Sequence, residues 1–130
     1  LFLPIGLIIT DQIGSLIKDS IPKDRPYMKI EKEKINLLIK IEKNENETYK
    51  NTKSSRSSFP SNHSANIFFI SFLLSHIYKK NKKYFFTLAL LIAISRIYIG
   101  VHYPIDVIVG SMIGITIAYS FIKIYDRLIR

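Results

Sequence analysis

Four apolar blocks, cut apart by charged connectors, constrain this 130-residue chain more than any other feature. Residues 1–17 hold one charge, Asp11; residues 60–78 hold no Asp, Glu, Lys or Arg; residues 84–105 hold only Arg96; and residues 107–122 hold none. The blocks are apolar on every side, as Ile67-Phe68-Phe69-Ile70-Ser71-Phe72-Leu73-Leu74 shows. A helix without a polar face sits deep in protein or in lipid, and four such helices cannot all bury one another in so short a chain. Each block is somewhat short against the ~20 residues that span a bilayer, with Ser, Tyr and His at the ends to extend it. The pattern predicts an all-α transmembrane bundle of four helices. The plainer alternative, a soluble helical core, asks for striped helices. A hydrophobic content of 48% excludes a disordered chain. The absence of cysteine excludes a disulfide scaffold, a thiolate metal site and a cysteine nucleophile.

Charge then sets the orientation. Lys79, Lys80, Lys82 and Lys83 fall in one turn without an acid, and the chain ends on Lys123, Asp126, Arg127 and Arg130. Both segments belong in the cytoplasm by the positive-inside rule, and the two blocks between them make an even number of crossings. The connectors 18–63 and 96–106 then share the outer face. The net charge of +9 is thereby split across a membrane, which argues against nucleic acid as a partner. Tyr78, Tyr84, Tyr98, Tyr103 and Tyr125 stand at block edges, where amphipathic rings favour the interface. Gly110 and Gly114 form a small-xxx-small pair suited to close helix packing. The chain opens on Leu1 inside an apolar run, with no basic leader or cleavage site, and is expected to be the C-terminal part of a longer membrane protein. Residues 27–59 are expected to form a mobile extracytoplasmic insert. Within it, 28–43 alternates Lys and Glu with Ile and Leu, as a short interfacial helix or an irregular strand would.

Three clusters lie on the two outer connectors. Lys18 is followed after six residues by Arg25-Pro26; Pro60-Ser61-Asn62-His63 precedes the second block; and Ser95-Arg96 is followed by His102 and then Asp106. Lys18, Arg25 and Arg96 supply three cations for a phosphate group, the arginines as planar forks and the lysine as a point charge. Ser61 occupies an N-cap position, where open backbone N–H groups and the helix dipole favour an anion. His102 and Asp106 are four apart, so the carboxylate is able to accept from one imidazole nitrogen and leave the other unprotonated. His63 is then free to act on a leaving group, and one nucleophilic histidine beside one acid/base histidine suits phosphoryl transfer. Each residue also has a plainer role. Asp106 serves as a helix-dipole partner, Lys18 and Arg25 as headgroup contacts, and the histidines as polar interface residues. Arg96 resists such a role, since its place at a block's outer end calls for an anion or a strong acceptor. His76, beside the lysine turn, is expected to have no part in the chemistry.

Together the clusters resemble the three-part signature of the type 2 phosphatidic acid phosphatase superfamily, with the internal spacing of each part intact. The motifs cover Lys18 to Asp106, and the helix order matches the last four of the six helices usual in membrane members. The resemblance implies that His102 attacks phosphorus and becomes a phosphohistidine, with Asp106 orienting it. His63 would protonate the leaving oxygen and later activate water. Lys18, Arg25, Arg96, Ser61 and the backbone at Asn62 and His63 would bind the phosphoryl oxygens. It implies no metal or other cofactor, and the sequence shows no acidic cluster near the motifs. Asn62 departs from the family's usual glycine: it would tolerate a positive φ, and its amide would add a donor to the phosphate. The expected activity is that of an integral membrane phosphatase acting at the outer face on a lipid phosphate or diphosphate, an isoprenoid diphosphate first among them. The rivals are a soluble-type acid phosphatase with the same parts and a non-catalytic lipid-binding membrane protein.

Overall fold

A computed structural model describes residues 2–29 and 57–128. Four long helices account for most of them: α1 (Phe2–Ser20), α2 (Asn62–Ile77), α3 (Lys82–Tyr98) and α4 (Pro104–Leu128), with a single helical turn at Pro26–Lys29. Most of the expected 27–59 insert, residues 30–56, lies outside the described residues, as does all but the start of the 28–43 alternation.

The helix ends follow local chemistry. Pro22 ends α1, because Ile21 before a proline is pushed out of the helical region. Ser61 caps α2, its hydroxyl accepting from the Ser64 N–H at 3.4 Å. A 3-10 turn at Lys79–Asn81 carries the chain into α3. The end of α3 turns on Gly100, whose φ of 72° is readily adopted by glycine. Pro104 opens α4, and Asp106 in the first turn reaches back to the Tyr103 N–H at 2.8 Å, half of a capping box.

Pairing between helices fixes their directions. Gly110 and Gly114 of α4 lie against the Ser61 and Ala65 carbonyls, where no Cβ would fit, so α4 runs parallel to α2. Phe121 meets Phe69 edge-on further along the same pair, at 5.9 Å between ring centroids. Gly6 and Gly14 of α1 lie against Phe69 and Asn62, and Ser71 donates to the Phe85 carbonyl at 3.1 Å. Both α1 and α3 therefore run antiparallel to α2. The ends of α1 and α3 and the starts of α2 and α4 accordingly meet at one end of the bundle.

The bundle is inverted relative to a water-soluble one. Its fully buried side chains are Phe69 and a set of small or polar groups, including Thr10, Ser57, Ser58, Ser61, Ser64 and Asp106. Leu88, Leu91, Ile94, Ile108 and Met112 are at least half exposed. Small residues inside and large apolar ones outside describe helices packed in lipid. Among the described residues α4 alone is long and apolar enough to cross a membrane by length and composition. The expected four-helix, all-α order is met, and the blocks are short as their sequence shows. With 16 and 17 residues, α2 and α3 reach ~24–26 Å against a hydrocarbon core of ~30 Å. The 19 residues of α1 include Asp11, Lys18 and Asp19.

Candidate active site

The three clusters meet at the end of the bundle where α1 and α3 finish and α2 and α4 begin. Lys18 closes α1 and is buried despite its charge. Lys18, Arg25 and Arg96 all act electrostatically on His63, and Lys18, Arg25 and Asp106 on His102. All six charged or titratable residues singled out in the sequence are thus in one electrostatic neighbourhood. His76 lies at the opposite end, 4.0 Å from Asp126.

His102 is 4% exposed and sits in the α3–α4 loop. Its backbone N–H and that of Val101 donate to the Arg96 carbonyl, each at 3.3 Å, so the two halves of the third cluster are tied together. The imidazole Nδ1 lies 2.7 Å from the Ser58 carbonyl. A carbonyl only accepts, so Nδ1 carries the proton and Nε2 keeps its lone pair. Burial, and then the Arg25 charge, push the imidazole down to about 4 from an ordinary 6.5. Lys18 pushes the same way, while the Ser58 hydrogen bond and Asp106 oppose it. An imidazole held neutral with Nε2 unprotonated has the form of a nucleophile.

The hydrogen bond expected from His102 to Asp106 is not formed. The nearest carboxylate oxygen is 3.9 Å from Nδ1, beyond hydrogen-bond reach. Both oxygens of the fully buried Asp106 are taken: Oδ1 accepts from Lys23 Nζ at 2.6 Å and Oδ2 from the Tyr103 N–H at 2.8 Å. The helix-capping role is therefore present, and the carboxylate acts on His102 only through its field. Lys23 and the Ser58 carbonyl are the groups that sequence reasoning missed. A backbone carbonyl has no side-chain signature, and Lys23 occupies a spacer position between Lys18 and Arg25.

At the start of α2, the Ser61 N–H donates to the Asp106 carbonyl at 2.9 Å, locking the second cluster to the third. The Ser61 side chain is fully buried and also accepts from the Ser64 hydroxyl at 3.0 Å. The cap uses the N–H groups of residues 64 and 65 and leaves those of Asn62 and His63 as the open donors of the helix end. Asn62 itself departs from expectation twice. It begins the helix, so no positive φ is needed there, and its amide nitrogen donates to Asp11 at 2.9 Å instead of adding a donor for a phosphate. Arg96 keeps a buried Nε with no hydrogen-bond partner, as a guanidinium awaiting an anion would. No group of three His, Cys, Asp or Glu able to hold a metal ion occurs among the described residues.

Comparison with known proteins bears on the family and the fold. The family model described as the PAP2 superfamily matches residues 1–130. The bacitracin transport permease protein BcrC of Bacillus licheniformis is 45% identical over 58 residues, which are 45% of this chain and 29% of that protein. The lipid A 4'-phosphatase of Porphyromonas gingivalis is 36% identical over 70 residues, 52% of this chain and 29% of its own length. The matches thus span under a third of these relatives. The crystal structure of Aquifex aeolicus LpxE superposes with a TM-score of 0.75 at 32% identity, covering 93% of this chain and 65% of LpxE.

Proposed function

The chain belongs to the PAP2 superfamily, and from that premise we propose that it carries the catalytic centre of a membrane phosphatase acting on a lipid phosphate or diphosphate. One observation carries the reading: a buried neutral histidine with its tautomer set, beside a second histidine and three basic side chains, one of which has an orphaned buried nitrogen. The inverted bundle supports a membrane setting, and the name of the lipid A 4'-phosphatase supports a lipid substrate.

In this mechanism Lys18, Arg25, Arg96 and the open N–H groups of Asn62 and His63 bind the phosphoryl oxygens. His102 Nε2 attacks phosphorus, forming a P–N bond as the bond to the leaving oxygen breaks. His63 gives that oxygen a proton, then takes one from the water that splits the P–N bond, releasing phosphate and restoring His102. Asp106 secures the start of α4 and opposes the cationic field at His102. The site faces the extracytoplasmic side of the inner membrane, opposite the lysine turn, and an isoprenoid diphosphate is the first substrate to test.

The test is phosphate release by the purified protein, in its full natural length and in detergent with EDTA. Undecaprenyl diphosphate, phosphatidic acid, phosphatidylglycerol phosphate and lipid A are the substrates. Release that survives chelation and is lost in His102→Ala is expected. Metal dependence, or an active His102→Ala protein, overturns the mechanism.

A further inference from the structure

We propose that Lys23 is a positioning residue for His102: by pairing with Asp106 it holds that carboxylate off the imidazole and leaves the Ser58 carbonyl as the partner of the ring. The inference deepens the reading above and rests on it for its chemical meaning.

Lys23 stands where three parts of the site converge. Its ammonium bonds Asp106 at the start of α4 and lies over the Tyr103 ring, 4.6 Å from the centroid, with the Phe59 ring at 5.7 Å. Its backbone grips the segment before α2: the Lys23 carbonyl accepts from the Ser58 N–H at 2.7 Å, and the Lys23 N–H donates to the Ser57 hydroxyl at 3.3 Å. The residue that occupies the carboxylate therefore also places the carbonyl that replaces it. Lys23 and the Tyr103 N–H anchor the two oxygens of Asp106, the nearer of them 3.9 Å from Nδ1. A neutral carbonyl orients the ring without stabilising the imidazolium as a hydrogen-bonded carboxylate would. The charged groups acting on His102 are Lys18 from α1, Arg25 from the connector and Asp106 from α4. Lys23 reaches the ring through Asp106.

The experiment replaces Lys23 by Met and by Arg in the full-length protein, and repeats Lys23→Met in an Asp106→Asn background. In Lys23→Met the freed carboxylate turns to Nδ1. The acid limb of kcat/KM then moves up toward the ordinary histidine range, and kcat falls about 10- to 100-fold while KM changes less than about threefold. Lys23→Arg keeps both within about threefold, and Lys23→Met adds less than about threefold to Asp106→Asn. A Lys23→Met protein that raises KM with kcat intact makes Lys23 a phosphate ligand and overturns the proposal, as do an unmoved acid limb and an additive loss in the double variant. If Lys23→Met alone does not fold, the double variant, which removes the buried charge, and Lys23→Arg decide. Titration of His102 by imidazole NMR reads the same coupling without turnover. An upward shift in Lys23→Met alongside a wild-type protein that releases no phosphate would sink the phosphatase reading and leave the positioning role standing; an unchanged titration sinks the positioning role whatever the activity.

Discussion

Burial of His102 makes the stability of the fold depend on pH. The folded protein holds the imidazole down at about 4, by burial first and by Arg25 second, whereas an unfolded histidine titrates near 6.5. Between those values the unfolded state binds more protons, so stability rises with pH. The contribution is whole above about 6.5 and is lost as pH falls toward 4, on the order of 3 kcal/mol in all. Thermal unfolding in detergent at pH 7 and pH 4.5 should show a steeper acid loss for the wild-type protein than for His102→Gln, which lacks the titration. Equal losses would mean that another group carries it. The sequence shows His102 and Asp106 at the right spacing, yet that spacing suits a cap as well as a dyad. The fold decides it: Asp106 caps α4 through the Tyr103 N–H and pairs with Lys23, while the Ser58 carbonyl holds the ring. Asn62 was ambiguous for a similar reason: whether its amide meets a ligand or Asp11 depends on where α1 packs, and residue type does not encode that.

Among the elements, the α2–α4 pair matters most, because it joins the cap of one motif to the helix start of another through the Ser61 N–H and the Asp106 carbonyl. That approach depends on Gly110 and Gly114, whose missing side chains admit the Ser61 and Ala65 carbonyls. A side chain at position 114 meets backbone, which cannot yield as a flexible side chain does. Gly114→Val should cost about 1–3 kcal/mol of stability and lower activity as well, since the separation of α2 from α4 reaches the site. The outward-facing Met112→Val should change neither by much. Unfolding midpoints and phosphate release for the two variants measure this, and a Gly114→Val protein as active as Met112→Val would show that the site does not need the close pair. The helix order and the glycine pair were legible because charge gaps and small-residue spacing are local. The partner of the pair was not, because any neighbouring helix accepts two glycines.

Across the whole molecule the two ends differ in how their positive charge is held. Lys18, Lys23, Arg25 and Arg96 crowd the site end, but Asp11 acts on Lys18, and Lys23 is paired with Asp106. At the other end Lys79, Lys80, Lys82 and Lys83 are exposed with no acid among them, and each is worth about 1 kcal/mol near an anionic cytoplasmic leaflet. That free charge, rather than the total, is what the positive-inside rule weighs, and the proposed outward-facing site rests on it. These 130 residues hold no cysteine, so single cysteines introduced into a cysteine-free natural-length protein report position. In spheroplasts, Ile21→Cys, at an exposed position beyond the end of α1, should react with a membrane-impermeant maleimide at once, and Asn81→Cys in the lysine turn only after permeabilisation. The reverse pattern would turn the site toward the cytoplasm and with it the pool of lipid phosphates it meets. Equal labelling of both from outside would break the bundle's crossing of the membrane altogether, since helices that start and end as these do cannot present both turns to one side.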